Sequence, residues 1–229
     1  MEGLLLAAVG GFMDAFTYVR FGVFANIQTG NIVLIGVKAS NGRWEAAALH
    51  LIPVAAFIAG VVAVELLGRP RIYRKVRRPI RIALAIEIVG LAVVATLPDS
   101  TPGPVITIIV SLVAAIQFTA FRTLVDTPYT TLAASGNLRT MASAMHRRFL
   151  DHDVAAGRQA SRLATVVLVF TIAAALGALI TKHAGNTAAA VPAAMLVITL
   201  TIFVTETGRL ERAAASDAAG DAANEAGKL

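Results

Sequence analysis

Six stretches of the sequence are apolar over roughly the length that a helix needs to cross a lipid bilayer. A span takes roughly 20 residues, because an α-helix rises about 1.5 Å per residue through a hydrocarbon layer about 30 Å thick. The six runs are approximately Gly3–Phe21, Glu45–Leu67, Ile82–Leu97, Val105–Phe121, Leu163–Thr181 and Ala188–Val204. They predict an all-α membrane protein with six transmembrane helices.

The amino-acid composition favours lipid as the surrounding solvent. Hydrophobic residues make up 57% of the chain and charged residues 15%, whereas soluble domains carry about 25% charged residues. A soluble globule with so few charges could not cover its surface with polar groups. Cysteine is absent, which excludes disulfides, thiolate nucleophiles and thiolate metal sites.

Lysine and arginine residues alternate between the loops on the two sides of the predicted bundle. Sixteen of the 20 follow the second, fourth and sixth runs, and four lie in the remaining loops. Because basic loops stay in the cytoplasm, both termini are expected there. The net charge of +6 is then a topology signal, with no nucleic-acid partner expected, and the basic face should contact anionic lipids.

One membrane domain over residues 1–208 is expected, followed by a disordered cytoplasmic tail over 209–229 that is rich in Ala, Gly, Asp and Glu. Two segments inside the domain are neither spans nor simple loops. Residues 22–40 contain the short apolar stretch Ile32–Val37, which we expect to be interfacial or re-entrant. Leu138–Leu150 has the pattern of a cytoplasmic amphipathic helix that lies against the membrane.

A short polar signature recurs in these two segments. The chain reads Thr29-Gly30-Asn31 after the first run and Ser135-Gly136-Asn137 after the fourth, 106 residues apart. This spacing divides the domain into two repeats, about 3–97 and 104–205, of three spans each. Because three is odd, the second repeat would be inverted in the membrane, as in many transporters. Chance recurrence of a common tripeptide is the alternative.

The signature has a physical use at the start of a helix. Thr29 and Ser135 can act as N-caps, and Gly30 and Gly136 permit a sharp turn or a close approach of backbone. Free N–H groups at such a helix start can bind an anion. A capped helix start without a ligand is the equally open alternative.

Several polar residues fall within or beside the apolar runs. Asp14 suits a proton or cation site, or a buried hydrogen-bond partner between helices. Glu87 is expected to reach toward Arg81, and His50 to serve packing or hydrogen bonding. The candidate substrate- or ion-binding residues are Asp14, Asn26, Gln28, Thr29, Gly30, Asn31, Gln117, Ser135, Gly136 and Asn137.

Two of these stretches carry a family resemblance. Gly11-Phe12-Met13-Asp14-Ala15 and Asn26-Ile-Gln28-Thr29-Gly30-Asn31 resemble the YoaK-type family of uncharacterised bacterial integral membrane proteins, which is defined by a domain of unknown function. The resemblance covers about Leu4–Val204. It implies a polytopic protein of the bacterial cytoplasmic membrane and implies no particular activity.

The leading expectation is a small-solute or ion transporter whose substrate is unknown. A non-transporting scaffold that binds lipids or partner proteins is the second possibility, and a membrane-embedded enzyme is the third. No catalytic motif, metal site or cofactor is expected, since neither a phosphate-binding loop nor a nucleophile elbow is present. Assembly into a homo-oligomer is left open.

Overall fold

The computed structural model describes residues 2–67, 79–121, 123–124, 127–128 and 134–226. Almost all of them are helical. The elements in chain order are α1 (Glu2–Phe21), α2 (Gln28–Ser40), α3 (Trp44–Leu67), α4 (Pro79–Thr96), α5 (Gly103–Ala120), β1 (Thr123–Leu124), β2 (Thr127–Pro128), α6 (Ala134–Leu150), α7 (Val154–Ala184), a 3-10 turn (Gly185–Ala189) and α8 (Ala190–Ala226). Each of the six apolar runs therefore lies largely within one helix.

The helices of the described chain have the character of a membrane protein. Four stretches are long and apolar enough to cross a bilayer: Gly3–Phe21, Trp44–Leu66, Gly103–Ala120 and Val154–Arg209. The last has 56 residues and contains both α7 and the first part of α8, so it is far too long for one crossing. Helix α4 is not among the four, and the number of six spans remains a prediction.

The outer surface of the bundle is apolar. Large hydrophobic side chains are exposed along α3, α4, α7 and α8, where water would be an unfavourable neighbour. They include Ile58, Val62, Val89, Leu168, Ile172, Leu176, Leu179, Val197 and Ile198. Such a surface fits contact with lipid tails.

Helix α1 lies at the centre of the bundle. It packs against α5, α7 and α8, and 61% of its apolar stretch is buried, compared with 28% for α3. Its close contact with α7 depends on two glycines. A Cβ on Gly11 would collide with the carbonyl oxygen of Phe170, and one on Gly177 would lie 3.0 Å from the Cα of Phe12. Small residues allow helices in membranes to approach in this way.

The remaining helix contacts form a regular pattern. Helix α3 packs against α5, with Gly60 facing Ala115. The short helix α2 packs on α3, and the amphipathic α6 packs on α7. Helix α4 packs on α5 and on α8. The strands β1 and β2 form a minimal antiparallel pair between α5 and α6.

The two segments predicted as neither spans nor loops are both helical. At 13 residues, α2 is too short to cross a bilayer. Helix α6 directs Asn137 and Ala144 toward the protein and leaves Leu138, Met145 and Phe149 exposed. The apolar face is thus available to lipid, as the amphipathic pattern predicts.

The expected N-caps are wrong. Helix α2 begins at Gln28, its N-cap position is Ile27, and no side chain caps it. Thr29 is an exposed residue inside the first turn. Helix α6 begins at Ala134, which places Ser135 inside that helix. Side-chain capping does occur at α7, where Asp153 accepts hydrogen bonds from the N–H groups of Ala155 and Ala156.

The C-terminal end also differs from the expected tail. Helix α8 continues to Ala226, through most of the segment that the composition predicts as disordered. The basic segment after α3, including Arg69 to Arg78, lies outside the described residues.

Candidate functional site

Polar side chains of α1 hold the turn that joins α1 to α2 (residues 22–27). The Oδ1 atom of Asp14 accepts a hydrogen bond of 2.9 Å from the Asn26 N–H. The hydroxyl of Thr17 accepts one of 3.1 Å from the Ala25 N–H. The Asn26 side-chain amide donates to the Gly10 carbonyl at 3.0 Å. The turn therefore folds back against α1 and leaves the helix through Gly22, whose φ of 71° suits glycine.

Helix α2 completes the turn from the other side. The Asn31 side chain accepts from the Phe24 N–H at 3.0 Å and donates to the Phe24 carbonyl at 2.7 Å. It also donates to Gln28 Oε1, while Gln28 Nε2 donates to the Ala25 carbonyl. The His50 Nδ1 lies 3.4 Å from Asn31 Oδ1. This last contact fits the expectation that His50 serves hydrogen bonding.

The turn cluster, defined as Asp14, Thr17, Asn26, Gln28, Asn31 and His50, thus gathers four of the residues predicted from the sequence. These side chains mainly supply hydrogen-bond partners to backbone groups of a non-helical segment. Non-helical backbone is tolerated at membrane depth only where protein or water provides such partners. Two buried acceptor atoms, Asp14 Oδ2 and Asn26 Oδ1, have no hydrogen-bond partner among the described residues. Asp14 can bind a proton at Oδ2, and both oxygens can accept a hydrogen bond or coordinate a cation.

Thr29 and Gly30 do not belong to the cluster. The Thr29 side chain is exposed, and a Cβ on Gly30 would lie 2.9 Å from the ring of Phe24. The N–H groups of Gln28, Gly30 and Asn31 are bonded to the carbonyls of Asn26 and Ile27. These amides are therefore not free for the anion that the helix start was predicted to hold.

The second polar signature lies in a different place. Ser135 and Gly136 are exposed at the start of α6, and Asn137 is buried. Helix α6 packs on α7, whereas α2 packs on α3. Each signature thus lies on a short helix that packs on the helix following it, and the two belong to separate helix pairs.

Gln117 and Glu87 are fully buried in the core. The Gln117 Nε2 donates to the Leu6 carbonyl at 2.8 Å, linking α5 to α1. Its Oε1 atom and both carboxylate oxygens of Glu87 lack hydrogen-bond partners among the described residues. The expected pairing of Glu87 with Arg81 is therefore wrong. Arg81 lies six residues earlier on α4, and its own Nε is also unpartnered among the described residues.

A second cluster of polar side chains, Arg20, Asp99 and Asn186, lies at one end of the bundle. It links the end of α1, the α4–α5 loop and the 3-10 turn. The Arg20 guanidinium donates to the Asp99 carboxylate at 2.8 Å and to Asn186 Oδ1 at 3.2 Å. The Asp99 carboxylate also accepts the Asn186 N–H. Gly185, with a φ of 56°, passes so close to Asp99 that a Cβ there would collide with the carboxylate. The sequence does not indicate this cluster, because Arg20, Asp99 and Asn186 are far apart in the chain.

All of the polar residues described above lie in the part of the chain that matches a known protein family. A family model described as "Protein of unknown function (DUF1275)" matches residues 3–202. The chain belongs to this family. The match confirms the resemblance to the YoaK-type proteins, whose defining domain it is. Searches of curated proteins and of solved structures found no match to this chain. The DUF1275 description assigns no function.

Proposed function

We propose that the protein is a small-solute or ion transporter of the cytoplasmic membrane, with six spans in two inverted repeats and no enzymatic activity of its own. The observation that carries the proposal is the symmetry of the helix contacts. In order, the first half contains α1, α2, α3 and α4, and the second contains α5, α6, α7 and α8. Each half has its short helix second.

Exchanging the two halves maps the contacts onto one another. The α1–α7 pair becomes the α5–α3 pair, α2–α3 becomes α6–α7, and α4–α5 becomes α8–α1. The α4–α8 and α1–α5 pairs map onto themselves. A chance tripeptide recurrence would not produce this correspondence, whereas a two-fold axis between the halves does so directly.

The polar signature lies in the short helix of each half. Thr29-Gly30-Asn31 is in the first turn of α2, and Ser135-Gly136-Asn137 lies 106 residues later, within α6. With three spans between equivalent helices, the second half is inverted relative to the first. Inverted repeats with sites near their interface characterise several transporter folds, in which one repeat rocks against the other.

Asp14 supplies the charged group of this proposal. It lies within α1, is 4% exposed, and keeps one carboxylate oxygen unpartnered beside a non-helical turn. A cavity of about 240 Å³ opens next to that turn, and its lining includes Val23, Leu49 and Thr107. Asp14 does not line it. The conformation is therefore best described as an occluded one, with Asp14 reached only after a movement of the halves.

A non-transporting membrane scaffold is the second candidate. The closed surroundings of Asp14 favour it, as does α6, which presents the exposed residues Leu138, Phe149 and Arg148 along one helix. A scaffold of this kind would bind anionic lipid through its basic face and would move no solute.

Uptake into proteoliposomes separates the two proposals. Purified protein is first screened against ions and metabolites by thermal shift, and solutes that stabilise it are then tested for uptake. We expect uptake by the wild type, its loss in Asp14→Asn, and its retention in Glu206→Gln, an exposed carboxylate on α8. Asparagine keeps an acceptor for the Asn26 N–H, so the turn should survive the change.

Two results would count against these assignments. Full uptake by Asp14→Asn would remove Asp14 from the mechanism. Absence of uptake of every stabilising solute by the wild type, together with binding to anionic vesicles, would favour the scaffold.

A further inference from the structure

Glu87 is a buried carboxyl group that the turn cluster does not use. It lies near the middle of α4, its side chain is 0% exposed, and neither of its oxygens has a hydrogen-bond partner among the described residues. An isolated charge in such an apolar core is expensive, by at least roughly 2.5 to 3.5 kcal/mol on insertion scales. A group of this kind needs either a counter-charge or a bound proton.

The packing of α4 against α5 places Gln117 at the depth of Glu87. The two helices are consecutive and antiparallel, and a Cβ on Gly90 would lie 2.7 Å from Val113. Glu87 lies three residues beyond this contact, about 4.5 Å along α4 away from the connecting loop. Gln117 lies four residues beyond it, about 6 Å along α5 in the same direction. The two side chains are therefore level to within about 1.5 Å.

Among the described residues, no counter-charge faces Glu87 from the elements packed on α4. Helix α5 and the 3-10 turn contain no titratable residue. The titratable residues of α8 begin at the exposed Glu206. On α4 itself, Arg81 is six residues away, about 9 Å along the axis. Asp14 on α1 lies eight residues beyond Leu6, the partner of Gln117, or about 12 Å along that helix.

The free atoms at this depth are acceptors. Gln117 uses its amide N–H on the Leu6 carbonyl and leaves its Oε1 open. A charged Glu87 cannot bond to that oxygen, since both are acceptors, whereas a protonated Glu87 can donate to it. Hard metal cations prefer six or more oxygen ligands, and no group of three or more His, Cys, Asp or Glu side chains suitable for a metal occurs among the described residues.

We propose that Glu87 is a proton-binding site in the core, whose bound proton is donated to Gln117 Oε1. Binding adds one proton to one carboxylate oxygen, and release returns it to water once the halves have moved apart. The site would supply the coupling proton of the transporter, and to that extent it rests on the proposed function. Protonation itself can be measured without any transported solute.

Infrared difference spectroscopy of the full-length protein in liposomes tests the site. At neutral pH we expect a carbonyl stretching band of a protonated carboxylic acid that is absent in Glu87→Gln and present in Asp14→Asn and Glu206→Gln. In Gln117→Leu the same band should move to higher frequency, because the acceptor of the proton is removed. Glutamine at position 87 can donate to Gln117 as the protonated acid does, so this variant should fold.

Specific outcomes would overturn the proposal. One is an unchanged set of protonated-acid bands in Glu87→Gln. Another is a Glu87 band that disappears at constant pH when sodium or potassium is added, which would make this a cation site. If Glu87→Gln did not fold, a band unmoved by Gln117→Leu in protein that is otherwise intact would exclude the shared proton. A confirmed band without any transport would leave the site standing and remove only the proposed function.

Discussion

At the scale of single residues, the turn between α1 and α2 shows how polar side chains are used inside an apolar bundle. Asn31 is fully buried and bonds to both the N–H and the carbonyl of Phe24. Its side chain thus replaces the partners that a helix would otherwise give to that residue. Thr29, two residues earlier, is exposed and has no such role.

Asn31→Ala should therefore destabilise the protein, whereas Thr29→Ala should not. The alanine removes the hydrogen-bond partner of the N–H and of the carbonyl of the part-buried Phe24, and each lost hydrogen bond costs about 0.5 to 1.5 kcal/mol. The matched change at Thr29 should stay within about 0.5 kcal/mol. Thermal unfolding in one detergent measures both. Equal melting temperatures for the two variants would show that Asn31 does not support the turn.

The composition of the turn cluster could be predicted from the sequence in part. Polar residues at Asp14, Asn26, Gln28 and Asn31 stand out because their neighbours are apolar. Their hydrogen-bond partners could not be predicted, because any residue can supply a backbone group such as the Phe24 carbonyl. The prediction that Thr29 caps helix α2 is wrong, because the helix begins one residue earlier, at Gln28.

At the scale of elements, the crossing of α1 and α7 depends on glycine. A methyl group on Gly11 has no room, because the neighbouring atoms belong to the backbone of α7 around Phe170. Backbone cannot rotate out of the way as a side chain can. By contrast, nothing lies within 4 Å of a Cβ on Gly36 of α2.

Gly11→Ala and Gly36→Ala should consequently have opposite effects. The first should lower the free energy of unfolding by about 1 to 3 kcal/mol through overpacking. The second should raise it by about 0.5 to 1 kcal/mol, because alanine is the better helix former. Chemical unfolding of both proteins in mixed micelles gives the comparison. A stabilising effect of Gly11→Ala would contradict the close α1–α7 contact.

Helix positions were easier to predict than helix lengths. The apolar runs indicate the six long helices because lipid exposure requires continuous hydrophobic sequence. Helix α7 starts at Val154, nine residues before the predicted run at Leu163. That first part contains polar residues and is helical because Asp153 caps it and α6 packs on it. A hydropathy pattern reveals neither the cap nor the packing, so it does not predict this first part of α7.

At the scale of the whole molecule, the main feature is the relation between the two halves. Most helix–helix contacts of one half have a counterpart when the halves are exchanged, and the distribution of basic residues predicts that the halves are oppositely oriented. Both features follow if each half is one copy of the same unit placed upside down. Rocking of one unit against the other would then expose Asp14 and Glu87 in turn to the two sides of the membrane.

Single-cysteine labelling tests the inversion directly, since the chain contains no cysteine of its own. The equivalent turns are α2–α3, with exposed Asn41, and α6–α7, with exposed Asp151. In intact cells, a membrane-impermeant maleimide should label Asn41→Cys, and it should label Asp151→Cys only after the membrane is permeabilised. Labelling of both positions from the same side would contradict the proposed inverted repeat.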